Sequence, residues 1–426
     1  MLRSLAVVAS AASLLVSSAA AYGAGFTGST VLSAYYPSYQ MAPADVPYSR
    51  YTHLDYFVFT TTPDPAVISQ AGISDSQIVD FVTRAKAAGI TTSYTVGGWT
   101  GSQYFSTHVS TAVGRTTFAR TLLAVMQQYG FDGIDIDWEY PGQQGIGNNV
   151  VSPNDASNFL LFLQTLRSLA GPVRLSMAAS VAGIMGPTGA YLTDLSGFAA
   201  VLDYVTIMTY DITGTWSGFT GPNAPLASAC SPGGNQFSII GAMTAYRNAG
   251  FAPSHILVGI PAYSYSYYVS APLTVTTCPD GSRTTLYQYA SSGSTCGTYI
   301  GNNGQYLYSQ LWDSGYFGNF AGYRRSIDLV SRTWILWNRA TGEFIPTEAR
   351  GTLWYKARTV RGARFGGINV FDASGDTADN RFNAALRIGL GLDAGSVSSL
   401  ALRRRATLHA KLVERRGGDG ISSLAL

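Results

Sequence analysis

Short β-forming apolar runs alternate along the chain with longer stretches whose apolar residues recur every three or four positions. This is the pattern of repeated βα units around a parallel sheet. The strand-like runs are Val31 to Tyr36, Leu54 to Thr60, Thr91 to Val96, Gly133 to Asp137, Arg174 to Ala178, Tyr204 to Tyr210, Ile256 to Ile260 and Gly366 to Phe371. Eight parallel strands are what a closed barrel needs, so the expected fold is an α/β (β/α)8 TIM barrel. Between the strands, Ser74 followed by Gln77 reads as a capping box, with Ile78, Phe81, Val82 and Ala85 on one helical face and Gly89 at the end. A second helix is predicted from about Thr116 to Gln128, facing the sheet with Phe118, Leu122, Val125 and Met126. A third begins near Asn154 and buries Phe159, Leu160, Leu163 and Leu166 before Gly171.

The rhythm breaks after the seventh run. From Tyr263 to about Arg350 the chain is rich in Tyr, Ser, Thr and Gly, too long for a structureless loop, and a small α+β insertion over about 264–350 is expected. Its place after the seventh strand puts it at the carboxyl-end rim, where barrels of this kind carry their sites. The ends differ from the body. Residues 1–21 join Arg3 to an apolar run, Leu5 to Val16, and a small-residue site, which reads as a secretory signal peptide rather than a membrane span. Residues 396–426 form a basic C-terminal tail, leaving 22–395 for the barrel and its insertion.

Composition narrows the function. The chain has 426 residues, 46% apolar and 12% charged, which excludes disorder. The formal charge is +3, but the tail alone holds Arg403, Arg404, Arg405, Lys411, Arg415 and Arg416 against Glu414 and Asp419. The remaining body is near neutral and has no footprint for nucleic acid. His53, His108, His255 and His409 are scattered, and the three cysteines form no C-x-x-C, so neither a metal nor another cofactor is expected. In an oxidising compartment Cys278 and Cys296 could close a local loop and leave Cys230 over; the odd count leaves at least one thiol free or paired between molecules, and the sequence does not say which.

The most informative segment is Phe131-Asp132-Gly133-Ile134-Asp135-Ile136-Asp137-Trp138-Glu139-Tyr140-Pro141. A strand sends alternate side chains to opposite faces, so Asp135, Asp137 and Glu139 point together into the barrel while Ile134, Ile136 and Trp138 pack outward. Arg120 and Arg167 are the nearest cations in sequence and stand well away. Two unit charges about 4 Å apart repel by roughly 4 kcal/mol at an effective dielectric of about 20, which is about three pKa units. At least one acid therefore keeps its proton near neutral pH, as a general acid must, and Glu139 is the outermost. A calcium loop counted from Asp135 would need Gly at 140 and an acid at 146, where Tyr140 and Ile146 stand.

This segment resembles the D-x-x-D-x-D-x-E signature of family 18 glycoside hydrolases, the chitinase family, through Asp132, Asp135, Asp137 and Glu139. Thr95-Val96-Gly97-Gly98-Trp99 is similar to the family's S-x-G-G strand, Met208-Thr209-Tyr210-Asp211 to its M-x-Y-D, and Thr220 to Leu226 to a loop of many fungal members. The resemblance, over about residues 30 to 390, implies a secreted, extracellular chitinase of fungal type that cuts β-1,4 N-acetylglucosamine linkages, with endo action expected. Chitin or chito-oligosaccharides are then the partners, with no nucleic acid and no membrane. It implies a retaining, substrate-assisted mechanism, in which the sugar's own N-acetyl group is the nucleophile. Glu139 would be the acid, Asp137 would orient the acetamido group, Asp135 would exchange a proton or hydrogen bond with Asp137, and Tyr210 would hold the acetamido oxygen. Asp132, Trp99, Tyr140, Met208, Asp211, Tyr36 and Phe371 are the candidate sugar-binding residues, with Tyr35 and Trp216 as further rim aromatics. Two positions depart from the pattern: Phe371 stands where the family usually has Trp, and Tyr263-Ser264-Tyr265 where it usually has Tyr-Gly-Arg. An endo-β-N-acetylglucosaminidase acting on N-glycans and a non-catalytic chitin-binding lectin are the competing readings.

Overall fold

The computed structural model describes residues 29–229, 237–269, 304–318 and 322–393, with Tyr287 and the short strands Thr276–Thr277, Thr284–Thr285, Ser292–Gly293 and Ile421–Ser423. The expected signal peptide, the three cysteines and, apart from Ile421–Ser423, the basic tail lie outside the described residues.

Eight parallel strands form the barrel: β1 Val31–Pro37, β2 His53–Thr61, β3 Thr91–Gly97, β4 Gly133–Asp137, β5 Arg174–Ser180, β6 Tyr204–Met208, β7 Ile256–Pro261 and β8 Gly367–Phe371. Each pairs with its sequence neighbour, and β1 pairs with both β2 and β8, which closes the sheet. Every boundary falls within two residues of the sequence reading, because buried parallel strands are continuous apolar runs bounded by Gly and polar turns.

The helices that cover the barrel are α1 Asp75–Ala87, α2 Ala112–Tyr129, α3 Asp155–Ala170, α4 Ile239–Asn248, α5 Arg350–Gly362 and α6 Arg381–Leu390. Ser74 caps α1 by accepting the Gln77 amide, but the Gln77 side chain donates to Ser38 O instead of closing the box. Ile78, Phe81, Val82 and Ala85 of α1 are all buried, as are Phe118, Leu122 and Met126 of α2 and Phe159, Leu163 and Leu166 of α3. Helix α2 begins earlier than its periodicity suggests, because Thr111 caps it by accepting the Gly114 amide. The principal core lies between strands and helices, where Leu32, Ala34, Tyr36, Leu54 and Tyr56 meet Phe81 and its neighbours.

Between β7 and β8, strands Tyr323–Asp328, Thr333–Asn338 and Glu343–Thr347 pair antiparallel, and Tyr267–Tyr268 joins the last of them. Helix Tyr308–Asp313 lies in the same segment. Tyr263, Tyr265, Tyr267, Ile335, Trp337 and Phe344 share a second core there, and Phe371 packs against it. The insertion is thereby joined to the end of β8.

Candidate active site

Strand β4 carries the site. Ile134 and Ile136 are fully buried outward, and Trp138 stacks on Phe105 at 5.2 Å and meets Phe159 edge-on at 5.3 Å. The opposite parity sends Asp135, Asp137 and Glu139 inward, all buried, with Glu139 at 9% exposure the most open of the three.

Neighbouring strands supply what surrounds each acid. Register pairs Thr95 of β3 and Ser176 of β5 with Asp135. Ser176 Oγ donates to Asp135 Oδ1 at 2.7 Å, while Thr95 Oγ1 at 3.1 Å and the Tyr35 hydroxyl at 3.3 Å donate to Oδ2. Asp137 Oδ1 has no hydrogen-bond partner among the described residues. The Tyr140 side chain acts on the Glu139 carboxylate and favours its charged form. The Glu139 amide donates to Ser102 Oγ at 3.0 Å, and its carbonyl accepts from Asn149 Nδ2 at 2.9 Å. The backbone bearing the outer acid is thus pinned on both sides.

Gly97 explains how β3 comes so close. Its φ is +116°, and a Cβ there would stand 2.0 Å from Asp137 O. Only glycine allows both the conformation and the approach.

Burial shifts the acids as their crowding suggests. Glu139 is pushed up to about 7, chiefly by desolvation with Asp211 adding, against the lowering effect of Tyr140. Asp135 also rises to about 7, by desolvation and then by the charge of Asp55, while Ser176, Thr95 and Arg174 hold it down. Asp137 is raised well above its ordinary range by desolvation, then by Glu139 and Asp135. No cation stands near these groups along the chain, but the folded barrel brings one in. It is Arg174 of β5, buried and lying over the Tyr204 ring at 4.5 Å.

The wall opposite comes from β6, β7 and β8. Tyr210 is buried beside Asp137, and Gly259 of β7 leaves room for it, since a Cβ there would stand 2.7 Å from the Tyr210 ring. Asp211, at φ +55°, accepts from the Tyr263 hydroxyl at 2.6 Å and the Tyr265 hydroxyl at 2.7 Å. Tyr265 stands at the sequence position where the resembled pattern has Arg, so a neutral hydroxyl meets Asp211 from there. Desolvation raises Asp211, and the two tyrosines oppose it. Phe371 ends β8 with ring centroids 5.6 Å from Tyr35, 5.5 Å from Phe57 and 5.6 Å from Tyr210. Met208 ends β6, half-buried. Trp99, 50% exposed, follows Gly97 and Gly98 on the carboxyl-end rim, and exposed Trp216 meets Tyr265 edge-on at 5.0 Å.

Two candidates do not join the group. Tyr36 faces outward, stacked on Phe81 of α1 at 4.5 Å, with its hydroxyl donated to Met41 O, and it is closed to any ligand in the barrel. Its neighbour Tyr35 is the inward tyrosine. Asp132 lies at the foot of β4, where its carboxylate accepts the Thr92 amide at 2.9 Å. It braces β3 against β4 at the end of the barrel away from Glu139. Conversely, His53, Asp55 and Asn369 project into the barrel below the acids, with Asp55 accepting from Asn369 Nδ2 at 3.1 Å. Among the described residues no cluster of His, Cys, Asp or Glu is arranged to hold a metal ion, and no helix is long and apolar enough to cross a membrane.

A row of acids at the carboxyl-end face of a closed (β/α)8 barrel stands where such barrels carry their sites. The chain belongs to the glycosyl hydrolases family 18, whose model matches residues 31–376. It is 31% identical over 374 residues to a chitinase-like effector of Moniliophthora roreri, covering 83% of this chain and 91% of that one. It is 30% identical over 316 residues to chitinase A1 of Niallia circulans, covering 70% of this chain and 43% of that protein. Its fold matches the crystal structure of a chitinase from Rhizomucor miehei with a TM-score of 0.76 at 25% identity, over 84% of this chain and all of that one.

Proposed function

We propose that the protein is a secreted chitinase that cleaves β-1,4 N-acetylglucosamine linkages with retention of configuration, acting within chains. Residues 1–21 are then the signal removed on export, 22–395 the catalytic barrel and 396–426 an appended basic tail. The observation that carries this reading is the pairing of two groups. Glu139 holds a proton near neutrality at the mouth of the cleft, and beneath it Asp137 keeps one buried oxygen unpartnered among the described residues. A protonated outer carboxyl suits delivery of a proton to a glycosidic oxygen, and an unpartnered buried acceptor suits an acetamido N–H.

As the bond to the leaving sugar breaks, the proton of Glu139 passes to that sugar's oxygen. The acetamido carbonyl oxygen attacks the anomeric carbon from the other side and forms an oxazolinium. Asp137 accepts the acetamido N–H and faces the positive charge, Asp135 sustains Asp137 from below, and Tyr210 donates to the acetamido oxygen. Glu139, now a carboxylate, takes a proton from the water that opens the ring. Trp99, Tyr140, Met208, Asp211 and Phe371 line the sugars.

A second reading, a non-catalytic chitin binder, is favoured by one finding: similar proteins from two Moniliophthora species carry the description chitinase-like effector. Turnover of a fluorogenic chitotriose by the wild type separates the two readings. Binding without turnover would favour the binder, and rapid cleavage of a glycoprotein alone would favour the N-glycan endoglycosidase.

A further inference from the structure

Below the acids of β4 lies a second layer that the mechanism above does not use. Asp55 of β2 lies in register with Ser93 of β3, Ser93 with Gly133 of β4, and Gly133 with Arg174 of β5. One row across the sheet therefore carries Asp55 and the buried Arg174, and the next inward row carries Thr95, Asp135 and Ser176. Gly133 leaves the gap between them, since a Cβ there would stand 2.7 Å from Ser93 Oγ and 2.7 Å from Arg174 Cβ.

The partners of Asp55 are neutral. His53 Nε2 lies 3.0 Å from Asp55 Oδ1 and 3.1 Å from Ser93 Oγ, with its Nδ1 2.7 Å from Thr91 Oγ1. Burial, aided by Arg174, keeps that imidazole uncharged. Asn369 Nδ2 donates to Asp55 Oδ2 and also lies 2.9 Å from Ser33 Oγ. Among the described residues, the charged or titratable groups that act on Asp55 or on its partner His53 are Tyr35 on β1, Asp132 and Asp135 on β4, and Arg174 on β5, which itself lies over Tyr204 of β6. Strands β3, β7 and β8 bring none that titrates near neutrality.

Among the described residues, two buried carboxyls, Asp55 and Asp135, thus share the charge of one buried guanidinium, Arg174. Two buried charges against one leave the second uncompensated, which is the costly arrangement. We propose that Asp55 is a positioning residue for the hydrolysis proposed above: it divides one negative charge with Asp135, and so sets how much charge stands beneath Asp137. When Asp55 is neutral, Asp135 carries the charge and Asp137 is supported against an oxazolinium. When Asp55 is ionised, Asp135 keeps its proton and the support weakens. The raised titration of both groups, each to about 7, accords with this sharing.

The inference rests on the hydrolase reading for its consequence but not for its measurement. The test follows the side-chain carboxyl resonance of Asp135 against pH, with 13C-labelled aspartate, in the wild type and in Asp55→Asn. Loss of the neighbouring charge lowers the Asp135 midpoint by about one pH unit. In hydrolysis of chitotriose, the acid limb of kcat/KM moves down with it, while the basic limb set by Glu139 stays in place. Asn369→Ser removes the amide that favours charged Asp55 and shifts Asp135 in the same direction, so it carries the test if Asp55→Asn does not fold. An Asp135 midpoint unmoved in the folded variants overturns the proposal, as does an activity loss equal at every pH. A wild type that hydrolyses nothing defeats the chitinase reading and leaves the resonance test to decide this one.

Discussion

Replacing Glu139 with glutamine should stabilise the protein at pH 8 and scarcely change it at pH 5. The folded Glu139 titrates near 7, above its ordinary 4.5, because burial disfavours the charged form. A carboxyl raised in the folded state contributes its stability below the unfolded value and loses it as pH climbs through the folded one. At pH 8 the folded protein must hold an ionised, desolvated Glu139, and the shift from 4.5 to about 7 corresponds to roughly 3 kcal/mol there. At pH 5 the same shift is worth under about 1 kcal/mol. A glutamine side chain fills the same volume, keeps a hydrogen-bonding end for Tyr140 and never ionises. With an unfolding entropy of about 2.1 cal/mol/K per residue, 3 kcal/mol raises the midpoint of a barrel this size by roughly 4 °C. Differential scanning calorimetry of both proteins at pH 5 and pH 8 reads the difference directly. A variant destabilised at pH 8, or changed equally at both pH values, would refute the claim that the outer acid is held protonated by burial.

Other consequences follow from single contacts. Gly97→Ala should lower stability by about 1–3 kcal/mol from backbone strain alone and reduce turnover about 100-fold by displacing Asp137, measurable as urea midpoint and kcat. Phe371→Ala should weaken chitotriose binding at least about tenfold by calorimetry, since stacking of this kind contributes about 1–3 kcal/mol; unchanged affinity would remove Phe371 from the sugar-binding residues. Lys356→Met strands buried Glu348, which now pairs with Lys356, and should cost about 3–5 kcal/mol at pH 8. That loss should shrink at pH 4, where burial has already favoured protonated Glu348; an equal loss at both pH values would show that the lost charge pairing is not the cause.

Much of this architecture is written locally. The eight strands and the inward face of β4 follow from apolar runs and strict alternation, which need no knowledge of the rest of the chain. The error over Tyr36 is one of phase: Leu32 and Ala34 are outward apolar residues in the same parity, so Tyr36 had to follow them and Tyr35 had to face in. Asp132 differs in parity from Asp135, Asp137 and Glu139, and the same count places it apart. Asp55, Asn369 and the Tyr263–Tyr265 pair were not legible, because their meaning arises only when β2, β8 and the insertion meet around β4. Arg174 escaped for the same reason, being 37 residues from Asp137 in sequence but on the adjoining strand.

In the proposed reaction Glu139 supplies the proton for glycosidic cleavage. Hydrolysis of fluorogenic chitotriose by the wild type and by Glu139→Gln, with oligosaccharide binding followed on the same samples, decides whether it does. Turnover in the wild type, its abolition in the variant and binding retained in both are expected. Binding by both proteins with turnover by neither, or equal turnover by the two, would contradict it.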